Sequence, residues 1–249
     1  MTGGIFHEIR SFFRRYLTPA VRWIIFANVG ILLFQYVVLM ALGWFEKSMF
    51  LFCQIPGKAV FKLQLWRFVT YMFLHGSGMH LLFNMLALWF FGPRLESRWG
   101  TGGFFRFYFI CGIGAAVVHA VFTLLTGQGG QMMIGASGAI YGVLLAYALY
   151  WPDHPVYLYF FIPMKVKYVV LLFGIVEFLN TIGTTGSHVS HITHLGGLLT
   201  AFLYLRGWRI FPNLFRGGFF GGGRRRPKRL VKRYYRDSDG RIYIDFDEE

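Results

Sequence analysis

Residues 107–152 read FYFICGIGAAVVHAVFTLLTGQGGQMMIGASGAIYGVLLAYALYWP, and this stretch contains no aspartate, glutamate, lysine or arginine. A helix that crosses the apolar core of a bilayer needs ~20 mostly apolar residues. The stretch is therefore long enough to cross a membrane twice. It predicts two membrane-spanning helices, near 104–125 and 136–151.

The rest of the chain has the same apolar character. Of its 249 residues, 55% are hydrophobic and only 14% are charged, which is far from the balance of a soluble globular domain. The predicted fold is an all-α polytopic membrane protein, a six-helix transmembrane bundle. Its long first loop, Trp44 to Gly78, is expected to be partly interfacial. The expected spans lie near 22–43, 79–97, 104–125, 136–151, 167–184 and 190–206.

The distribution of basic residues predicts the orientation. The net charge is +14, and nucleic acid is the first partner that such a charge suggests. If the N-terminus is cytoplasmic, however, only four of the 25 Lys and Arg residues lie on the outer side: Lys47, Lys58, Lys62 and Arg67. The positive-inside rule favours this topology, with both termini cytoplasmic. We therefore expect contact with membrane lipids and no nucleic-acid partner.

Three segments follow from this topology. They are a cytoplasmic N-terminal segment at 1–21, a six-span domain at 22–206, and a basic then acidic cytoplasmic tail at 207–249. The first apolar segment is too long for a signal peptide and lacks a small-residue cleavage site after it, so it is expected to be retained.

Polar side chains gather at the starts of three predicted spans. Such groups are costly inside a membrane and are candidates for function. Because even-numbered spans run from outside to inside, the clusters can converge near the outer surface. At the second, fourth and sixth spans they are, in turn, His75, His80 and Asn84; Gly135, Ala136, Ser137 and Gly138; and His188, His191 and His194.

The cluster at the fourth span places the Ser137 hydroxyl at a helix N-terminus. The flanking glycines, Gly135 and Gly138, let a substrate backbone approach closely. The free N–H groups of the first turn favour an oxyanion, so the cluster suits acyl transfer. A helix cap or a close-packing contact is the alternative interpretation of this serine.

The other two clusters supply donors and a base. His80 and Asn84 are four residues apart and share a helical face, so both can donate hydrogen bonds to a developing negative charge; polar contact between helices is the alternative. His75 is expected to cap or brace the long loop. The neutral imidazole of His194 can accept a hydroxyl proton, although His188 and His191 compete for that role.

Other chemistries fit the sequence less well. His191 and His194 are three residues apart with no glutamate between them, so no zincin helix is present and no metal or other cofactor is predicted. No aspartate lies in any predicted span, which leaves a two-aspartate membrane protease unsupported. Nucleophilic catalysis by a serine is the interpretation that remains.

Taken together, these residues resemble the rhomboid family of intramembrane serine proteases. The matching features are Trp66-Arg67 in the first loop, His75 with His80 and Asn84, the Gly-x-Ser-Gly sequence from Gly135 to Gly138, and His194 followed by x-x-Gly at Gly197. The resemblance covers about residues 20 to 206.

The resemblance implies a serine endopeptidase with a Ser137–His194 dyad that lacks an acidic third member. His80, Asn84 and the Ser137 backbone N–H would form the oxyanion hole, and Tyr141 would pack against the ring of His194. Substrates would be transmembrane proteins cleaved near the outer face of a prokaryotic plasma membrane, under a loop such as 183–190. The oligomeric state is not predicted.

Two other classes of protein stay open at this level. A transporter or channel would use the histidines and Glu177, because a carboxyl in the fifth span is costly unless it is paired or protonated. A structural carboxyl is the preferred interpretation of Glu177. The third class is a non-catalytic, rhomboid-like binder of membrane helices, against which the intact Ser137 and His194 argue.

Overall fold

The computed structural model describes residues 17–158, 161–183, 188–210, 230–236 and 242–248. The predicted N-terminal segment up to residue 16, the polar turn at 184–187 and the glycine-rich and basic stretches at 217–229 lie outside the described residues, as does the side chain of His188. The chain divides into two compact units, Met1–Arg206 and Gly207–Glu249.

The first unit is built mainly from helices. A π-helical turn, Gln35–Leu39, continues the first of them, and a 3₁₀ turn, Tyr71–Phe73, follows the fourth. In chain order the helices are α1 (Pro19–Phe34), α2 (Phe45–Phe52), α3 (Pro56–Phe61), α4 (Arg67–Thr70), α5 (Gly78–Trp99), α6 (Thr101–Leu125), α7 (Ser137–Tyr150), α8 (Val166–Ile182) and α9 (His188–Ile210).

A helix lies at each of the segments expected to span a membrane: α1 with its π-helical turn, α5, α6, α7, α8 and α9. Among the described helices, Pro19–Leu39 and Thr101–Leu125 are long and apolar enough to cross a membrane, and Ser137–Tyr150 is a shorter apolar helix. Six crossings therefore stay a prediction.

The chain is mostly helical and not all-α, which corrects the sequence-based expectation. Pro155–Leu158 (β1) and Ile162–Lys165 (β2) form an antiparallel hairpin between α7 and α8. In the second unit, Leu230–Arg236 (β3) pairs with Ile242–Glu248 (β4), also antiparallel. A hydrophobic pattern of helical period does not predict such short hairpins, because strand pairing depends on the turn and on cross-strand contacts.

Glu96 joins the start of α1 to α5. Its buried carboxylate accepts hydrogen bonds from the backbone N–H groups of Ala20 (2.8 Å) and Val21 (3.0 Å), and from the Thr18 hydroxyl (2.5 Å). These N–H groups belong to the first turn of α1, which has no acceptor within its own helix. The carboxylate therefore caps α1 and ties it to α5.

Arg67 organises the long first loop. Its side chain is only 1% exposed, and the guanidinium donates hydrogen bonds to the carbonyl oxygens of Phe50 (2.8 Å) and Cys53 (2.6 Å) and to the Gln64 side chain (2.6 Å). Three acceptors on different parts of the loop need the planar, multi-donor group of arginine. The loop is thus ordered by a buried cation.

Large apolar side chains face outward while polar ones lie inside. Trp23 and Phe26 on α1 and Leu171 and Phe178 on α8 are each more than half exposed. Buried polar side chains include Gln54, Arg67, Glu96, His119 and Glu177. Apolar patches of this kind mark a surface that contacts another apolar phase, and a lipid bilayer provides one.

Candidate active site

Gly135 sets the geometry at the start of α7. Its φ of +112° is in a region that residues with a Cβ rarely adopt. A Cβ there would also lie 2.8 Å from the His80 ring. The Gly135 N–H donates to the carbonyl oxygen of Tyr71 (2.9 Å), which fixes the turn. The helix then begins at Ser137, so this hydroxyl sits beside the free N–H groups of the first turn.

The side chains of Ser137 and His194 meet although they are 57 residues apart in the sequence. The His194 Nε2 atom lies 2.8 Å from the Ser137 Oγ atom. Gly197 permits this approach, because a Cβ on it would overlap the carbonyl oxygen of Gly138. Close contact between α7 and α9 thus depends on the missing side chain of Gly197.

Tyr141 lies one turn after Ser137 and stacks on the His194 ring. The two ring centroids are 4.2 Å apart and the planes differ by only 7°. A stacked neighbour restricts rotation of the imidazole about its Cβ–Cγ bond. The imidazole is therefore presented edge-on to the Ser137 hydroxyl.

Glu177 differs from expectation. The resemblance implied no acidic third member, yet the Glu177 Oε1 atom lies 2.8 Å from the Nδ1 atom of His194. The Tyr141 hydroxyl donates to the same oxygen, and His191 Nδ1 lies 2.5 Å from the Glu177 Oε2 atom. A carboxylate thus stands behind the imidazole that contacts the serine.

His80 and Asn84 face the backbone of the same turn. The His80 ring and the Asn84 amide nitrogen both lie near the position of a Cβ on Gly135, at 2.8 Å and 3.9 Å. Among the described residues, the buried Asn84 amide nitrogen has no hydrogen-bond acceptor. A buried donor normally has a partner. This one is free to bind an oxygen that enters the site.

Of the remaining predicted residues, His75 lies beside His80, and Trp66 and Arg67 lie in the first loop. The ring of His75 packs edge-on against His80 with centroids 4.9 Å apart. Burial, with a smaller contribution from His80, lowers the pKa of His75 to about 4, so its ring is neutral at neutral pH. Trp66 is half exposed and donates to the carbonyl oxygen of Leu51 (3.3 Å), and Arg67 braces the loop. The structure places these two residues in the loop scaffold.

His191 contacts Glu177, whereas the Ser137 hydroxyl is contacted by His194. The structure thus separates two histidines that competed for one role in the sequence. No group of three or more His, Cys, Asp or Glu side chains able to hold a metal ion occurs among the described residues.

The described part of the chain is mainly helical, with large apolar side chains facing outward and the Ser137 hydroxyl in contact with the His194 imidazole. A family model described as a Rhomboid domain matches residues 62–211, more than half of the chain. The chain belongs to the rhomboid family.

Curated relatives carry the same family name. The chain is 30% identical over 141 residues to Rhomboid protease AarA of Providencia stuartii, covering 51% of this chain and 49% of the relative. It is 27% identical over 124 residues to Rhomboid protease GlpG of Salmonella typhi, covering 50% and 41%. It is 38% identical over 79 residues to RHOMBOID-like protein 5 of Arabidopsis thaliana, covering 32% and 25%. The chain thus matches about half or less of the length of each of these relatives.

Proposed function

We propose that this protein is an intramembrane serine endopeptidase that cleaves transmembrane helices of other membrane proteins near the outer membrane face. The proposal includes six membrane crossings, cytoplasmic termini and a prokaryotic plasma membrane. The observation that carries it is the 2.8 Å contact between Ser137 Oγ and His194 Nε2, because a serine hydroxyl needs a base within hydrogen-bond reach to become a nucleophile. The protease names of the two bacterial relatives support the same class of reaction.

Acylation begins at the Ser137 hydroxyl. His194 Nε2 takes its proton as the oxygen bonds to the carbonyl carbon of a substrate peptide, and the carbonyl oxygen becomes an oxyanion. Protonated His194 then gives this proton to the leaving amine as the peptide bond breaks. A water molecule, activated by the same imidazole, hydrolyses the acyl-enzyme and restores the hydroxyl.

The oxyanion would bind between α5 and the start of α7. Asn84 offers an amide donor without a described acceptor, and His80 lies against the same turn. The Ser137 N–H, in the first turn of α7, supplies a backbone donor. These groups lie around one turn, as stabilisation of a single developing charge requires.

Labelling with a fluorophosphonate tests the proposal, since this probe reacts covalently with activated serines. The purified full-length protein should label, and Ser137→Ala and His194→Ala should not. A Ser137→Ala variant that labels like the wild type would remove Ser137 as the nucleophile. A folded wild type that neither labels nor cleaves a reconstituted single-span substrate would favour a transporter or a non-catalytic binder.

A further inference from the structure

The Glu177 carboxylate connects two imidazoles through its two oxygens. The Oε1 atom lies 2.8 Å from His194 Nδ1, and the Oε2 atom lies 2.5 Å from His191 Nδ1. Tyr141 also donates its hydroxyl hydrogen to Oε1. Glu177 itself is only 7% exposed. Because the carboxylate has little contact with solvent, these three side chains are its hydrogen-bond partners.

The identity of these partners points to the reaction centre. A carboxyl group in an apolar helix such as α8 is costly and needs hydrogen-bond donors. A purely structural glutamate can take them from any nearby polar group. Here one donor is the ring that contacts Ser137, and another, Tyr141, is the residue stacked on that ring. Glu177 thus contacts both His194 and Tyr141, the residue that stacks on the His194 ring.

We propose that Glu177 is a positioning residue that extends the Ser137–His194 pair into a Ser–His–Glu triad. This inference rests on the proposed function and adds an acidic residue to the proposed catalytic pair. An ionised carboxylate can only accept hydrogen bonds, so it keeps the hydrogen of His194 on Nδ1. Nε2 then carries a lone pair toward Ser137.

The proton balance during acylation is simple. The Ser137 proton moves to His194 Nε2, and the Nδ1 proton stays on Nδ1, hydrogen-bonded to Glu177. The imidazolium thus formed is next to a negative charge, which stabilises it. Glu177 stays ionised throughout, and the Nε2 proton leaves with the departing amine.

His191 and Tyr141 hold the carboxylate itself. His191 is on the same helix as His194, three residues earlier, and contacts the other carboxylate oxygen. Together with Tyr141 it limits rotation of the carboxylate plane. Supporting hydrogen bonds of this type maintain the geometry of groups that act in catalysis.

The first experiment measures the fluorophosphonate labelling rate of full-length Glu177→Gln. Glutamine keeps an oxygen acceptor but has no negative charge, and its amide group can also turn a donor toward Nδ1. We expect labelling to slow by about 10²-fold, within the range that general-base catalysis contributes. Cleavage of a single-span substrate should lose kcat with little change in KM, because Glu177 has no role in substrate binding in this scheme.

Two variants serve as comparisons. Glu177→Asp keeps the charge and should recover part of the lost rate. Asn180→Ala changes an exposed polar side chain one turn further along α8 and should label like the wild type. Thermal unfolding of each variant in detergent separates a slower reaction from a smaller folded fraction.

The second experiment works without turnover. In Ser137→Ala protein with ¹⁵N-labelled histidines, NMR should show the His194 proton on Nδ1, and adding Glu177→Gln should yield a mixture of tautomers. A Glu177→Gln variant that labels at the wild-type rate, or an unchanged His194 tautomer, overturns the triad while Ser137 labelling still supports the protease. Wild-type protein that fails to label would refute the protease instead, and the tautomer shift would still support positioning by Glu177.

Discussion

A methyl group added to Gly197 of α9 would overlap the carbonyl oxygen of Gly138 in the first turn of α7. The two helices carry His194 and Ser137, and the contact between them sets the distance between the imidazole and the hydroxyl. The obstacle is a backbone atom, which cannot move away as a flexible side chain can.

Gly197→Ala should abolish labelling at Ser137, because α9 must shift away from α7 to accommodate the new methyl group. Labelling rate and thermal stability in detergent are the measurements. Gly174→Ala is the matched control, since its Cβ would be 3.6 Å from the Leu198 side chain, an ordinary contact. It should leave the rate unchanged and stabilise α8 slightly. Normal labelling of Gly197→Ala would mean that the two helices are not in this contact.

Asn84→Ala should lower kcat by about 10²–10³-fold, the usual cost of losing one oxyanion donor. It should leave the unfolding temperature nearly unchanged, because the Asn84 amide nitrogen has no acceptor among the described residues. Asn28→Ala is a control away from the site. The Asn28 amide nitrogen donates to the Ile24 carbonyl oxygen (2.8 Å), and its loss should leave turnover per folded molecule intact. An Asn84→Ala variant that is unstable but fully active would contradict the oxyanion role.

Glu96→Ala should destabilise the protein by about 2 kcal/mol or more, since hydrogen bonds to a charged group are among the stronger ones and the α1 donors would be left unpaired. Thermal or denaturant unfolding in detergent checks this. Glu46→Ala removes an exposed carboxylate from α2 and should have little effect. Equal stability of the two variants would show that Glu96 does not hold α1.

Arg67→Lys should loosen the long first loop although the charge is kept. A single ammonium group cannot reach all three acceptors that the guanidinium serves, and at least one of these oxygens would lose its partner. Limited proteolysis should then cut within Trp44 to Gly78 faster than in the wild type. Lys62→Ala, at an exposed position of the same loop, should be cut at the wild-type rate.

The predicted topology places the loop after α6 outside and the β1–β2 hairpin inside. Both native cysteines, Cys53 and Cys111, are buried, so they should react slowly with an impermeant thiol reagent. In intact cells, Gln131→Cys should be labelled and Tyr157→Cys should be labelled only after the membrane is opened. The reverse pattern would invert the orientation.

Much of the site follows from residue types at helix starts. Ser137 between small residues and His194 before Gly197 suggest their chemistry directly, since few residues can act as nucleophile and base. The role of Glu177 does not follow in the same way. A carboxyl in an apolar helix needs hydrogen-bond donors, and Asn180 on the same helix is closer in sequence than the histidines of α9. Sequence spacing alone does not say which faces of α8 and α9 meet.

The two hairpins were missed for a related reason. Their strands are seven residues or fewer, and pairing between them is set by cross-strand contacts and not by an apolar pattern of helical period.

By itself, the sequence determined the apolar helices, their order and the residues able to do acyl-transfer chemistry, because hydropathy and side-chain chemistry are local properties. The tertiary structure decided that His194 reaches Ser137, that Tyr141 stacks on it and that Glu177 stands behind it. In an apolar chain, side chains that face lipid and side chains that face other helices are alike. The rotation and depth of each helix are therefore fixed only when glycine contacts and buried hydrogen bonds form between them.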